Sequence, residues 1–150
     1  MKKLIVLLVT ISLFLSACGS GDRDLKYEIW KDTMEAFGNG NYQILHGYED
    51  DEPTGNLHNC KHNREVMTRV DNYVEKDNYV YFVGYYYKQR VFCRLNVETN
   101  LLSYYVKENG DEFFMAGIEK MIEDNQIELL SSFDDFSEKD RTEFESLIND

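Results

Sequence analysis

Catalytic signatures are the first thing missing from this chain. It has no glycine-rich phosphate loop, no Gly-x-Ser-x-Gly elbow and no His-Glu-x-x-His pair. With three histidines and three cysteines, any metal or nucleophile reading must draw on the same few side chains. Positive charge is scarce as well. Sixteen Lys and Arg face 28 Asp and Glu, for a formal charge of −12. A domain this acidic is repelled by nucleic-acid phosphates and by anionic headgroups, which sets aside DNA and RNA as partners. Among 28 acids chance carboxylate pairs are certain, so an envelope hydrolase stays only as a distant alternative. Long apolar runs are missing too. The longest, Leu4 to Leu15, is interrupted by Thr10 and Ser12 and falls well short of the roughly 20 residues that span a bilayer. No internal repeat or low-complexity tract is visible.

That short run has a definite context. Lys2 and Lys3 precede it, and Leu15-Ser16-Ala17-Cys18 follows, giving the three-part layout of a secretory signal that ends on a cysteine. The four residues resemble the lipobox of bacterial lipoproteins. The resemblance implies cleavage before Cys18, a diacylglyceryl thioether on its sulfur, and an extracytoplasmic protein held to the membrane by that lipid. Gly19-Ser20-Gly21 has the composition of a flexible tether. On this reading residues 1–17 are the signal peptide, 18–23 the lipidated tether and 24–150 a single domain. Removing Lys2 and Lys3 with the signal takes the formal charge from −12 to −14. A mature chain of this size buries roughly two thirds of its unfolded surface, enough for a real core.

The implied compartment bears on the remaining cysteines, Cys60 and Cys93. Extracytoplasmic space lets disulfides persist, and an even count suits one bridge, so a Cys60–Cys93 disulfide is expected. In the chain-entropy model it would contribute about 3–4 kcal/mol. His58, Cys60 and His62 stand at i, i+2 and i+4, which in an extended segment places them on one side. Imidazole and thiolate are good zinc or copper ligands, so a solute- or metal-binding lipoprotein using His58 and His62, with His46 as an extra ligand, is the alternative function. A Cys–His nucleophile needs a reduced thiol of low pKa, which the compartment opposes. The expectation is no metal and no cofactor.

Periodicity supplies the fold class. Tyr27, Trp30, Met34 and Phe37 recur at helical spacing, predicting an N-terminal helix over 24–37 that stops at Gly38-Asn39-Gly40. Tyr42 to Tyr48 reads as a strand. Glu49-Asp50-Asp51-Glu52-Pro53-Thr54-Gly55-Asn56 reads as an acidic loop holding the only proline, without the spacing of a calcium loop. From Glu65 to Val106 the period becomes two, in four runs separated by short turns, which predicts an antiparallel meander. A helix over about 112–124, a short strand from Ile127 and a closing helix opened by a Ser137–Asp140 capping box complete the pattern. The expected class is α+β: an N-terminal helix, a meander of about four to six strands, and C-terminal helices packed on one sheet face.

Tyrosine is the abundant aromatic, with eleven residues, eight of them between Tyr73 and Tyr105. Alternation puts Tyr79, Tyr81, Tyr85 and Tyr87 on one face. Such a row is either a binding surface or ordinary strand composition covered by helices. The expected function is a non-catalytic binding or accessory module, contacting a protein or envelope component through that face.

Overall fold

The computed structural model describes residues 25–49, 51–107 and 112–149. The signal expected over 1–17 and the tether expected over 18–23, Cys18 included, lie outside the described residues. Nine strands occur among the described residues, in two sheets. The first sheet is an antiparallel run of Thr33–Phe37 (β1), Tyr42–Glu49 (β2), Glu52–Asn59 (β3) and Arg64–Met67 (β4). The second runs in order through Arg69–Lys76 (β5), Tyr79–Tyr86 (β6), Gln89–Asn96 (β7), Leu102–Val106 (β8) and Ile127–Leu129 (β9). Only β9 is parallel to its neighbour, because the helix Glu112–Glu123 (α1) carries the chain back between β8 and β9. A closing helix, Glu138–Asn149 (α2), follows a single 3₁₀ turn at Phe133–Asp135.

The two sheets share one core. Phe37, Tyr42, Ile44, Leu57, Val66 and Met67 of the first sheet cluster with Val80, Phe82, Val91, Cys93, Leu95 and Tyr104 of the second. Ile118 and Met121 of α1 close the same core. A second cluster lies on the opposite face of the second sheet, where Tyr81, Val83 and Phe92 meet Phe136, Phe144 and Leu147. The molecule is therefore layered as sheet, sheet, helix.

This overturns the expected α+β class. No helix forms over residues 25–37. Residues 25–32 instead lie as an irregular strap against the first sheet and lead into β1. The reason is the fully buried Gln43, whose amide satisfies the strap's backbone. Gln43 Nε2 donates to the carbonyls of Glu28 and Gly40, both at 2.9 Å. Its Oε1 accepts from Trp30 N at 3.2 Å and Thr33 Oγ1 at 2.5 Å. The helical spacing of the aromatics is real, but long-range hydrogen bonds decide the conformation. Nor do the C-terminal helices share a face, since Ile118 and Met121 of α1 enter the inter-sheet core while α2 covers the far side.

The expected acidic loop is a tight hairpin, with Tyr48 opposite Pro53 and Glu49 opposite Glu52. Pro53 is tolerated because β4 pairs with β3 only from Leu57 onward, so β3 is an edge where the proline sits. The run Val66 to Val74 is two strands rather than one. Thr68 interrupts it, and the chain passes there from the first sheet into the second.

Gly84 makes this crossing possible. A Cβ on Gly84 would stand 2.1 Å from the Arg69 carbonyl oxygen and 2.7 Å from Met67 Cε. The crossing is tied down at Thr68, whose backbone N donates to the Tyr85 carbonyl at 2.9 Å. Thr68 Oγ1 accepts from Tyr87 N at 2.8 Å. Gly84→Ala is expected to lower the unfolding free energy by about 3 kcal/mol in urea denaturation, since backbone rather than a flexible side chain must move. Gly47→Ala, whose new methyl meets only side chains at 3.2 Å or more, is expected to change it by less than about 1 kcal/mol.

Candidate functional site

The face carrying Tyr79, Tyr81, Tyr85 and Tyr87 is divided by α2. Tyr81 is 1% exposed, sealed edge-on by Phe144 with ring centroids 5.4 Å apart. Its hydroxyl donates to Asp140 Oδ1 at 2.8 Å. Tyr79 is half-buried, with the Arg94 guanidinium 5.0 Å from its ring. Arg94 Nη1 donates to Asp140 Oδ2 at 2.6 Å, and its Nη2 donates to Ser103 Oγ at 3.1 Å. The continuous tyrosine row expected from alternation is thus interrupted at Tyr81, because the apolar side of α2 needs a sheet to bury against.

Asp140 fixes where the helix lands. Its Oδ2 accepts from Ser137 N at 3.2 Å while its own backbone N donates to Ser137 Oγ at 3.2 Å, forming the capping box, and Oδ2 also accepts from Ser137 Oγ at 2.7 Å. Burial of the Asp140 carboxyl works against ionisation. The hydrogen bonds from Ser137 and Tyr81 and the charge of Arg94 outweigh it and hold the group below the usual carboxylate range.

Tyr85 and Tyr87 lie beyond the helix. Across three strands the register places Arg69 of β5 opposite Tyr85 of β6, and Tyr85 opposite Arg90 of β7. The two guanidinium carbons are 4.4 Å and 4.8 Å from the Tyr85 ring centroid. Asp71 joins them. Its Oδ1 accepts from Arg69 Nε at 2.8 Å and its Oδ2 accepts from Arg90 Nη1. The same end of the sheet carries exposed Lys88 in the β6–β7 turn and exposed Lys107, whose backbone N donates to the Arg90 carbonyl at 2.9 Å. Tyr87 is 55% exposed at the tip, in the left-handed region with φ of 52°. An acidic chain therefore concentrates cations and aromatic surface at one corner. Guanidiniums held against a ring are positioned to bind a carboxylate or similar anion with little further loss of side-chain freedom.

Period-two alternation from Glu65 puts Arg69 and Asp71 on one side. The pairing of Arg69 and Arg90 around Tyr85 needs the strand register, which sequence alone did not supply.

The other candidates are dispersed. His58 Nε2 is 3.2 Å from Asn63 Oδ1, and its ring lies 4.8 Å from that of Trp30. Burial holds His58 below its ordinary pKa, partly offset by Asn63. His62 instead faces Asp124, with 3.6 Å from Nε2 to Oδ2. Burial, then Lys61, lower its pKa against the pull of Asp124. The extended geometry that would align them ends at Asn59, because residues 60–63 form a turn. His46 is exposed on β2. Among the described residues no group of three or more His, Cys, Asp or Glu is placed to hold a metal.

The expected Cys60–Cys93 bridge is not formed, and both are free thiols. Cys60 sits in the β3–β4 turn, its N donating to the Asn41 carbonyl at 2.7 Å. Cys93 is fully buried in mid-β7, paired with Phe82 and Tyr104. Burial pushes the Cys60 thiol up to about 11 and Cys93 well above its usual value. Neither is a thiolate at neutral pH.

Protein-family models, curated proteins and solved structures contain no match to this chain.

Asp140→Asn is expected to cost about 2 kcal/mol at pH 7, since it weakens three hydrogen bonds and leaves Arg94 without its carboxylate. A depressed native pKa stabilises above the unfolded value and is lost as pH falls through the native one. The gap between native protein and variant in urea denaturation should therefore narrow below about pH 4.

Proposed function

We propose that the protein is an extracytoplasmic lipoprotein, anchored by a diacylglyceryl group on Cys18, whose domain is a non-catalytic binding module. The lipobox residues Leu15, Ser16, Ala17 and Cys18 support the anchor. The cationic corner of Arg69, Tyr85 and Arg90 is the observation that carries the binding role, because it is the part of the tyrosine face that α2 leaves open. Two acyl chains hold a protein to a bilayer where one chain binds only marginally. The domain then needs no membrane-binding surface of its own and is free to present the corner to a protein or envelope component.

The anchor is tested by feeding labelled palmitate to cells making the full chain. Label is expected in the wild-type protein and absent from Cys18→Ser. An unlabelled wild type, or label persisting in the variant, would contradict the anchor.

A further inference from the structure

The cationic corner and the point where the chain enters the domain lie at opposite ends of the second sheet. The first described residues pack on the β1–β2 turn. Lys26 N and Tyr27 N donate to the Asn39 carbonyl at 2.9 Å and 3.2 Å, and Leu25 lies against Gly40. That turn touches the end of β7, since a Cβ on Gly38 would be 2.9 Å from the Val97 carbonyl oxygen. Arg90 is the second residue of β7 and Val97 follows its last, a separation of about 23 Å at the usual rise per strand residue. The first described residues therefore pack at the Val97 end, and the corner lies at the far end.

Local charge selects the occupant. The corner gathers Arg69, Lys88, Arg90 and Lys107 on a chain whose formal charge is −12, so an anionic group is attracted here and repelled elsewhere on the surface. Asp71 already displays the chemistry that the corner accepts, one carboxylate receiving hydrogen bonds from both guanidiniums. The fork of an arginine matches a carboxylate, and Tyr85 holds both forks in place. We propose that the corner docks an acidic segment of a partner polypeptide, a carboxylate of which takes the place of Asp71 between Arg69 and Arg90. The proposal rests on the binding-module reading of the corner. The carboxylate chemistry rests on the corner's own geometry.

The test uses the mature protein in a non-ionic detergent micelle, with fluorescein-labelled octaglutamate as the probe and fluorescence anisotropy as the readout. Arg69→Gln and Arg90→Gln are each expected to weaken binding about tenfold, the loss of one charge-assisted hydrogen bond. Asp71→Asn removes the carboxylate that both guanidiniums reach and is expected to tighten binding about threefold, less than a full charge-assisted bond because Asp71 must be displaced in the native protein. Asp77→Asn removes the same charge at the other end of the sheet, where Asp77 pairs with Lys139, and is expected to leave binding unchanged. Doping the micelle with phosphatidylglycerol is expected not to displace the probe. Docking is overturned by unchanged binding in Arg90→Gln, by equal tightening in Asp71→Asn and Asp77→Asn, or by displacement with phosphatidylglycerol. Any of these would leave palmitate labelling at Cys18, and with it the anchored module, untouched.

Discussion

The absence of a side chain at residue 84 is the constraint on which the rest of the structure depends. The Arg69 carbonyl occupies the space a Cβ would need, at 2.1 Å. Because the backbone passes so close to β6 there, the chain leaves the first sheet at Met67 and begins the second at Arg69. Thr68 locks the passage through bonds to the Tyr85 carbonyl and the Tyr87 amide. The same passage delivers the Arg69 guanidinium onto the Tyr85 ring. Two packed sheets and one cationic corner are thus consequences of a single close approach.

The closing helix decides how much of the outer face remains available. Its Phe144 and Leu147 need burial, and Tyr81, Val83 and Phe92 provide it. Burial alone is non-directional. The register of the helix is set instead by Asp140, which Tyr81, Arg94 and Ser137 all reach. Polar contacts at the helix start therefore place an apolar seal over one half of the face and leave the other half open.

Strand alternation was readable from residue 79 to 106, because both faces of β6 and β7 are packed and local pattern and tertiary demand agree. The helices after residue 111 were readable for the same reason, though not the faces they cover. The N-terminal strap was not, since Gln43 holds it through contacts 13 and 15 residues away in the chain. The break at Thr68 was hidden as well. Alternation continues across it, and only the missing Cβ of Gly84, on another strand, marks the crossing. Pro53 and its acidic neighbours suggested a loop because local signals cannot show that a strand has no partner on one side. The cysteines misled because compartment speaks to whether a bridge persists and says nothing of whether two sulfurs meet. In the candidate site, Tyr85 was legible and the arginines flanking it were not, since their meeting is a matter of register.

The central claim is that the working surface is the corner left open by α2. Backbone amide shifts of the isotope-labelled mature protein on titration with octaglutamate test it most directly. The account predicts that the largest shifts fall at Arg69–Asp71 and Tyr85–Arg90. Shifts centred instead on the open groove lined by Leu101, Ile122, Ile127 and Leu129 beside β9, or spread evenly over both sheets, would contradict it.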